Sequence, residues 1–223
     1  MKKRVVSIGG HSLDAELMGG PLLIQYAEQG VHCTFMHVTT GRLEDPNATE
    51  AEKAAYLEQL RAENEAVAAG MGCDFYSFGY SSATLPSEGE FIQMLKDYFV
   101  KEKVDLVVTH ARGTLHPRHY YTYETVTQAV RQLRLEGVDI DLLYGENCED
   151  LAGFTPNKYL EVSQKQVDKW FTALSNYAIF NGKVNSMPYR DYYTTMGKIR
   201  AVEVDSKEFV KAFMIAPMID NTL

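Results

Sequence analysis

The sequence has little cysteine, little proline and no long apolar run. Its three cysteines, Cys33, Cys73 and Cys148, are odd in number, far apart and include no CxxC pair. That excludes a disulfide framework and a cysteine-rich metal ribbon, and it is the usage expected of a reducing, cytoplasmic compartment. No apolar stretch approaches the roughly 18 residues needed to span a bilayer. The basic start Met1-Lys2-Lys3-Arg4 is followed by only four apolar-run residues before Gly9-Gly10-His11, too few for the apolar segment of a signal peptide. No stretch is rich enough in Gly, Ser or Pro to divide the chain, and no internal repeat appears. With 22 Lys and Arg against 30 Asp and Glu the net charge is -8, and no basic run stands out. A nucleic-acid backbone is therefore not an expected partner. Gly9, Gly10, Gly19 and Gly20 do not fit GxGxxG, and neither a P-loop nor a GxSxG elbow occurs. Dinucleotide binding, P-loop chemistry and a serine hydrolase are thus unsupported.

What is present is a regular alternation of apolar runs and amphipathic segments. At 223 residues and 45% hydrophobic content the chain suits one α/β domain with an ordinary core. Residues 4–8 read as a buried strand, 14–29 as a helix stopped by Gly30, and 32–39 as the next strand. Thr49-Glu50-Ala51-Glu52 and Ser87-Glu88-Gly89-Glu90 have capping-box spacing and open helices to Met71 and near Lys103. Residues 74–78, 105–109 and 139–144 read as strands and 119–135 as a helix. The consecutive Leu106-Val107-Val108 fits a strand covered on both faces. The predicted fold is a Rossmann-like, mostly parallel sheet with helices on both faces over residues 1–145. Residues 146–223 read as a small C-terminal extension of the same domain. It holds an edge strand at 158–162, a helix capped by Ser163-Gln164-Lys165-Gln166, a helix at 189–202 and a strand at 209–215 able to pair with the first.

Two strand ends carry the chemistry. Val5-Val6-Ser7-Ile8-Gly9-Gly10-His11-Ser12-Leu13-Asp14 and Val107-Val108-Thr109-His110, continuing to His116-Pro117-Arg118-His119, each run from apolar residues into a histidine-bearing loop. In a parallel sheet such ends share the edge where ligands bind, so His11, Asp14 and His119 can converge although distant in sequence. Two histidines, one carboxylate and an open position form the ligand set of a catalytic zinc, or another divalent metal, one per chain. The bland alternatives are a tight turn at Gly9-Gly10-His11 with Asp14 as a helix N-terminal charge, a solvated His119, and His116 packed beside Pro117. His110 reads as a strand-end histidine bonded to backbone, and His32 and His37 as ordinary strand residues.

These segments resemble the LmbE-like, or PIG-L, metal-dependent N-deacetylases. The family's His-Pro-Asp-Asp-x-Glu-Leu corresponds to His11-Ser12-Leu13-Asp14-Ala15-Glu16-Leu17, with Gly19-Gly20 close behind. Its second motif, Thr-His, a short loop, then His-Pro-Asp-His, corresponds to Thr109-His110 and His116-Pro117-Arg118-His119. Thr39-Thr40-Gly41-Arg42 stands at its Thr-Gly-Glu turn, and the likeness continues in order to Ala212-Phe213. The resemblance implies a zinc-dependent amidohydrolase acting on an N-acetylated amino sugar or sugar conjugate. His11, Asp14 and His119 would hold the metal, and His116 would stabilise the tetrahedral intermediate or protonate the leaving amine. Arg61 would bind substrate. Homo-oligomers are implied by the resemblance alone. Arg42 and Arg118 are candidates for a positive rim around the small-molecule substrate, and Tyr120 for stacking on a sugar or donating to an oxyanion.

The departures from the family pattern are specific. Leu13 occupies the place of the general-base aspartate, whose contribution is typically about 10²–10⁴-fold in rate. Arg118 and Thr114 replace aspartates in the second motif, and Ser82 stands where many members have a substrate-contacting aspartate. An Arg118 pointing inward at about 7 Å and effective dielectric about 20 would repel each unit of metal charge by about 2 kcal/mol and favour an anionic ligand. Glu16, Glu146, Glu149 and Asp150 are the carboxylates available as a displaced base, with Glu16 better suited to bonding a neighbouring loop. The alternative function is a catalytically degraded relative that binds a small anionic or sugar ligand without hydrolysing it.

Overall fold

The structure is a computed structural model that describes residues 2, 4–43 and 45–218; Met1 and Lys3 of the basic start lie outside these. The chain runs β1 (Arg4–Gly9), α1 (Asp14–Glu28), β2 (His32–Thr39), α2 (Glu50–Met71), β3 (Asp74–Tyr80), α3 (Glu88–Glu102), β4 (Leu106–Thr109), α4 (Pro117–Leu135) and β5 (Asp141–Gly145). It ends with β6 (Lys158–Val162), α5 (Gln164–Leu174), α6 (Tyr189–Glu203) and β7 (Phe209–Ile215). One seven-stranded sheet has the order β3-β2-β1-β4-β5-β7-β6. β1 to β5 are parallel, and β7 runs antiparallel to both β5 and β6, so the C-terminal segment continues the same sheet. The α/β, mostly parallel fold expected from the sequence is the fold observed.

Local chemistry sets the element limits. Thr49, Ser87 and Ser163 each accept from the third following backbone N–H while Glu52, Glu90 and Gln166 reach back, giving three complete capping boxes. α4 begins at Pro117, two residues before the sequence expectation. Proline at the first helical position gives up an N–H that has no partner there anyway, and this makes His116 the N-cap. β5 begins at Asp141 rather than 139, after a turn in which Gly137 has φ 87°.

Two apolar clusters cover the sheet, one per face. The larger packs α1 and α5 through Leu17, Leu23, Trp170 and Leu174; the other packs α3 and α4 through Phe91, Phe99, Val126 and Val130. α1 is buried along most of its length, and Gly20 leaves room for Trp170, whose Nε1 would lie 2.4 Å from a Cβ at that position. Trp170 Nε1–H donates instead to the Glu16 carbonyl at 2.9 Å. Because β1 is flanked by β2 on one side and β4 on the other, the chain reverses direction across the sheet between β1 and β4. Their C-terminal ends therefore open a crevice, the usual ligand position in such sheets. No helix among the described residues is long and apolar enough to cross a membrane.

Candidate metal centre

The crevice is lined by the turn after β1, the residues after β4, the first turn of α4 and the segment 146–150 after β5. Gly9 is required by the first of these: a Cβ there would meet Asp14 Cβ and Ala15 N at 2.6 Å. This tight turn brings Asp14, the first residue of α1, back under His11. The Asp14 carboxylate accepts from the His11 backbone N–H at 3.0 Å and lies 2.9 Å from His11 Nδ1. Asn147 Nδ2 donates to its other oxygen at 3.3 Å.

His119, fully buried in the first turn of α4, faces the same carboxylate. Its Nε2 is 3.3 Å from Asp14 Oδ2 and 3.4 Å from His11 Nε2, while Nδ1 is 3.0 Å from Asp150 Oδ1. Asp150 accepts from Nδ1, which turns the Nε2 edge of the ring toward Asp14 and His11. The Asp14–His119 and His11–His119 contacts, 3.3 and 3.4 Å, match the spacing of ligand atoms set tetrahedrally about a zinc ion with bonds of about 2.0–2.1 Å, with His11 meeting Asp14 through Nδ1 and His119 through Nε2.

The electrostatics agree. Burial alone lowers the basicity of His119, but Asp14 and Asp150 outweigh it and raise it to about 10. In the metal-free protein a proton thus stands where the acceptors meet. Burial works to raise Asp14 and Asp150, yet the imidazoles of His11 and His119 hold Asp14 well below the usual carboxylate range. His110 and His119 bring Asp150 down to about 2.

Two overlapping clusters have ligand atoms within 4.8 Å of one another: His11, His116 and His119, and Asp14, His110 and His119. Hydrogen bonding separates their members. His110 has both ring nitrogens engaged: Nδ1 lies 2.6 Å from Asp150 Oδ2, and Nε2 accepts from the Gly10 N–H at 2.9 Å. The bond to Gly10 is the backbone contact expected of a strand-end histidine. His116 is half-buried, with its ring 4.4 Å from that of His119 and 5.2 Å from that of His11. Burial, His119, His11 and the Arg118 guanidinium together push it down to about 4, so it is neutral. Its Nε2 faces Arg118 Nη2 at 3.5 Å, and its Nδ1 has no partner.

Arg118 is turned toward the cleft, with Nη1 donating to Ser82 Oγ at 2.8 Å. A cavity of about 400 Å³ opens from His11 and Ser12 and is walled by Arg42, Arg118, Lys183, Tyr56, Leu60 and Ile179. Arg42 and Arg118 thus both line this cavity. Arg61 and Tyr120 are placed elsewhere. Arg61 projects from α2 with its side chain 68% exposed, pairs with Glu65 at 3.0 Å, and lines an adjoining cavity of about 550 Å³ between α2 and β3 that shares Thr40, Gly41 and Leu60 with the first. Tyr120 is exposed on α4 beside Tyr123 and is not part of the histidine cavity. Helical phase explains both: each side chain points away from the crevice that its neighbours on the same helix face.

The spare carboxylates also separate. Glu16 is fully buried on the far side of α1, 2.9 Å from His37 Nε2 and accepting from Tyr177 at 3.2 Å. Glu146 is buried against Arg200. Asp150 is committed to two histidines. Glu149 alone of the four is half-exposed at the centre, with Oε2 3.6 Å from His119 Nε2. Leu13 has φ 83° and packs, 3% exposed, in the larger core cluster. The part that sequence reasoning missed is the supporting role of Asp150 and Asn147. Its only signal was an acidic loop after a strand end.

The family model described as GlcNAc-PI de-N-acetylase, PIG-L, matches residues 6–130, more than half of the chain. No curated protein matches the sequence. Among solved structures of similar fold, the 4-carboxy-2-hydroxymuconate hydratase of Pseudomonas putida KT2440 has a TM-score of 0.80 at 17% identity over 100% of both chains. The N,N'-diacetylchitobiose deacetylase of Pyrococcus horikoshii has a TM-score of 0.75 at 17% identity, covering 99% of this chain and 88% of its own. A deacetylase of the antimicrobial A40926 pseudoaglycone has a TM-score of 0.72 at 16% identity, covering 99% and 100%. At these identities the three establish the fold alone.

Proposed function

The chain belongs to the PIG-L family, and from that premise we propose that it is a divalent-metal, most simply zinc, amidohydrolase that removes an acetyl group from an N-acetylated amino sugar or sugar conjugate. The observation that carries this is the convergence of His11, Asp14 and His119 at a strand-end crevice, with Asp150 behind His119. Those three residues would hold the metal. A divalent ion there supplies a Lewis acid for the amide carbonyl and acidifies water.

The remaining chemistry falls to the chain's own side chains. With Leu13 packed in the core, Glu149 takes the proton from the attacking water and returns it to the leaving nitrogen. Its carboxylate lies at the rim, 3.6 Å from His119 Nε2. His116, pushed down to about 4 and with Nε2 facing Arg118, carries its proton on Nδ1, a buried nitrogen without a protein partner, and this is the hydrogen-bond donor assigned to the developing oxyanion. Arg118 faces His116 Nε2 and, with Arg42, orients the substrate at the cavity.

The test is acetate release from N-acetylglucosamine and N,N'-diacetylchitobiose by zinc-loaded protein, with Glu149→Gln beside wild type. Release that falls about 10²–10⁴-fold in the variant supports this reading. Wild-type release unaffected by the substitution would remove Glu149 from the mechanism.

A second reading is favoured by the buried Leu13 and by the cationic wall of Arg42, Arg118 and Lys183. In it the cavity takes a small anion and no amide is cleaved. One protein of this fold is named for hydration of a carboxy-substituted muconate. Binding of small carboxylates without any acetate release would favour this alternative.

A further inference from the structure

Residues 146–150 leave the end of β5 carrying three side chains that bear on the metal centre. Asn147 donates to Asp14, Glu149 approaches His119, and Asp150 bonds both His110 and His119. Within the segment, the Asp150 N–H to Asn147 carbonyl bond of 3.0 Å and the Glu149 N–H to Asn147 Oδ1 bond of 3.1 Å close a single turn. The shape of the segment is set from outside, by side chains of α6 and β7.

Lys211 Nζ donates to the Glu146 carbonyl at 2.9 Å. Arg200 donates through Nε and Nη2 to Glu146 Oε1 at 3.0 and 2.5 Å. Tyr193 Oη accepts from the Cys148 N–H at 3.2 Å. Glu146 is 1% exposed and Lys211 2% exposed, and the Lys211 ammonium lies 4.8 Å from the centre of the Tyr193 ring. A buried ammonium is costly unless it is partnered, and an apolar side chain would fill the same place more cheaply. Two cations on one glutamate, at the first residue of a loop that carries the outer support of the histidines, therefore point to a task beyond packing.

We propose that Lys211 and Arg200 are positioning residues for the metal centre: acting through Glu146, they fix the 146–150 loop and with it the Asp150 carboxylate that aligns His110 and His119. Both lie outside the segment matched by the family model. The proposal rests on the metal-centre reading of His11, Asp14 and His119, and its test separates the two.

Lys211→Met, Arg200→Gln and Arg200→Lys are made in the full chain, with Val210→Ala as a control. Val210 is buried on the same strand, adjacent to Lys211 and therefore directed to the other face of the sheet. Zinc affinity is measured by competition with a chelating dye. In metal-free protein, the downfield imidazole N–H signals of His110 and His119 are followed by nitrogen-resolved proton NMR. Zinc affinity is expected to fall about 10- to 100-fold in Lys211→Met and Arg200→Gln, with displaced or lost imidazole signals, and to recover in Arg200→Lys. Val210→Ala is expected to lower Tm while leaving both readouts at wild type.

Wild-type affinity and signals in Lys211→Met and Arg200→Gln overturn the proposal, as does an equal loss in Val210→Ala. Should Lys211→Met fail to fold, the Arg200 pair decides by the same criteria. Should wild type bind no zinc, the metal reading fails and the imidazole signals decide positioning: lost in Arg200→Gln but kept in Val210→Ala supports it, kept in both overturns it.

Discussion

Leu13 fills its place in the core without leaving a gap. Its backbone is in the left-handed region at φ 83°, a conformation that costs an L-residue roughly 1–2 kcal/mol. Its side chain, 3% exposed in the core, offsets this with roughly 2 kcal/mol of apolar burial. A carboxylate introduced here therefore enters a dry environment. Leu13→Asp is expected to lower unfolding free energy by roughly 2–4 kcal/mol in urea titrations and to leave acetate release unchanged. A gain in turnover would mean that the side chain at this position reaches the histidines. His119 carries a second expectation at this scale. Its basicity is raised to about 10, so at neutral pH the metal-free imidazole holds a proton that a metal must displace. Zinc affinity is expected to rise about tenfold per pH unit between about pH 6.5 and 9, with about one proton released per zinc bound. Calorimetry in buffers of different ionisation enthalpy measures that number, and a value near zero would contradict the assignment. The three ligand candidates were legible in the sequence because each sits in a short motif at a strand end. Arg61 and Tyr120 do not line the cavity that contains His11, and this was not readable because which way a helical side chain faces depends on how the helix packs.

Among the elements, those closed by local chemistry were readable and those fixed by distant contacts were not. The capping boxes at Thr49, Ser87 and Ser163 act within four residues, and each helix starts where its box predicts. That β6 and β7 pair was also foreseeable; their antiparallel sense was not. What could not be read was that β7 inserts between β5 and β6, and that its Lys211 reaches back to the loop after β5. Burial pushes the Lys211 ammonium from 10.5 down to about 8. Between these values the unfolded chain holds the proton and the folded chain has released it, so stability rises with pH across this window. Below pH 8 both states are protonated and the contribution no longer varies. The expected gain is on the order of 3 kcal/mol from about pH 8 to 10.5. Chemical unfolding of wild type and Lys211→Met at pH 7.5, 8.5 and 9.5 isolates this contribution from other titrating groups. The difference between the two proteins is expected to shift in favour of wild type as pH rises; a pH-independent difference would contradict the burial of a charged ammonium.

For the whole molecule, the organising feature is that one sheet edge collects residues from both halves of the chain. His11, Asp14 and His119 fall within the matched segment 6–130, whereas Asn147, Glu149 and Asp150 come from beyond it, held by α6 and β7. A ligand bound at such a junction stabilises the fold as a unit. Zinc at about 1,000 times its dissociation constant is expected to add about 4 kcal/mol. For a chain of this size that corresponds to a Tm increase of roughly 8–16 °C by scanning calorimetry. An unchanged Tm under saturating zinc would place any bound metal outside the folded core. The most direct measurement is elemental analysis of tag-free protein, as purified and after zinc addition and desalting, with His119→Ala in parallel. About one zinc per wild-type chain, lost in the variant, is the expected result for a site held by His11, Asp14 and His119. No retained zinc in wild type under either condition would contradict it and leave an anion-binding, non-hydrolytic protein as the better description.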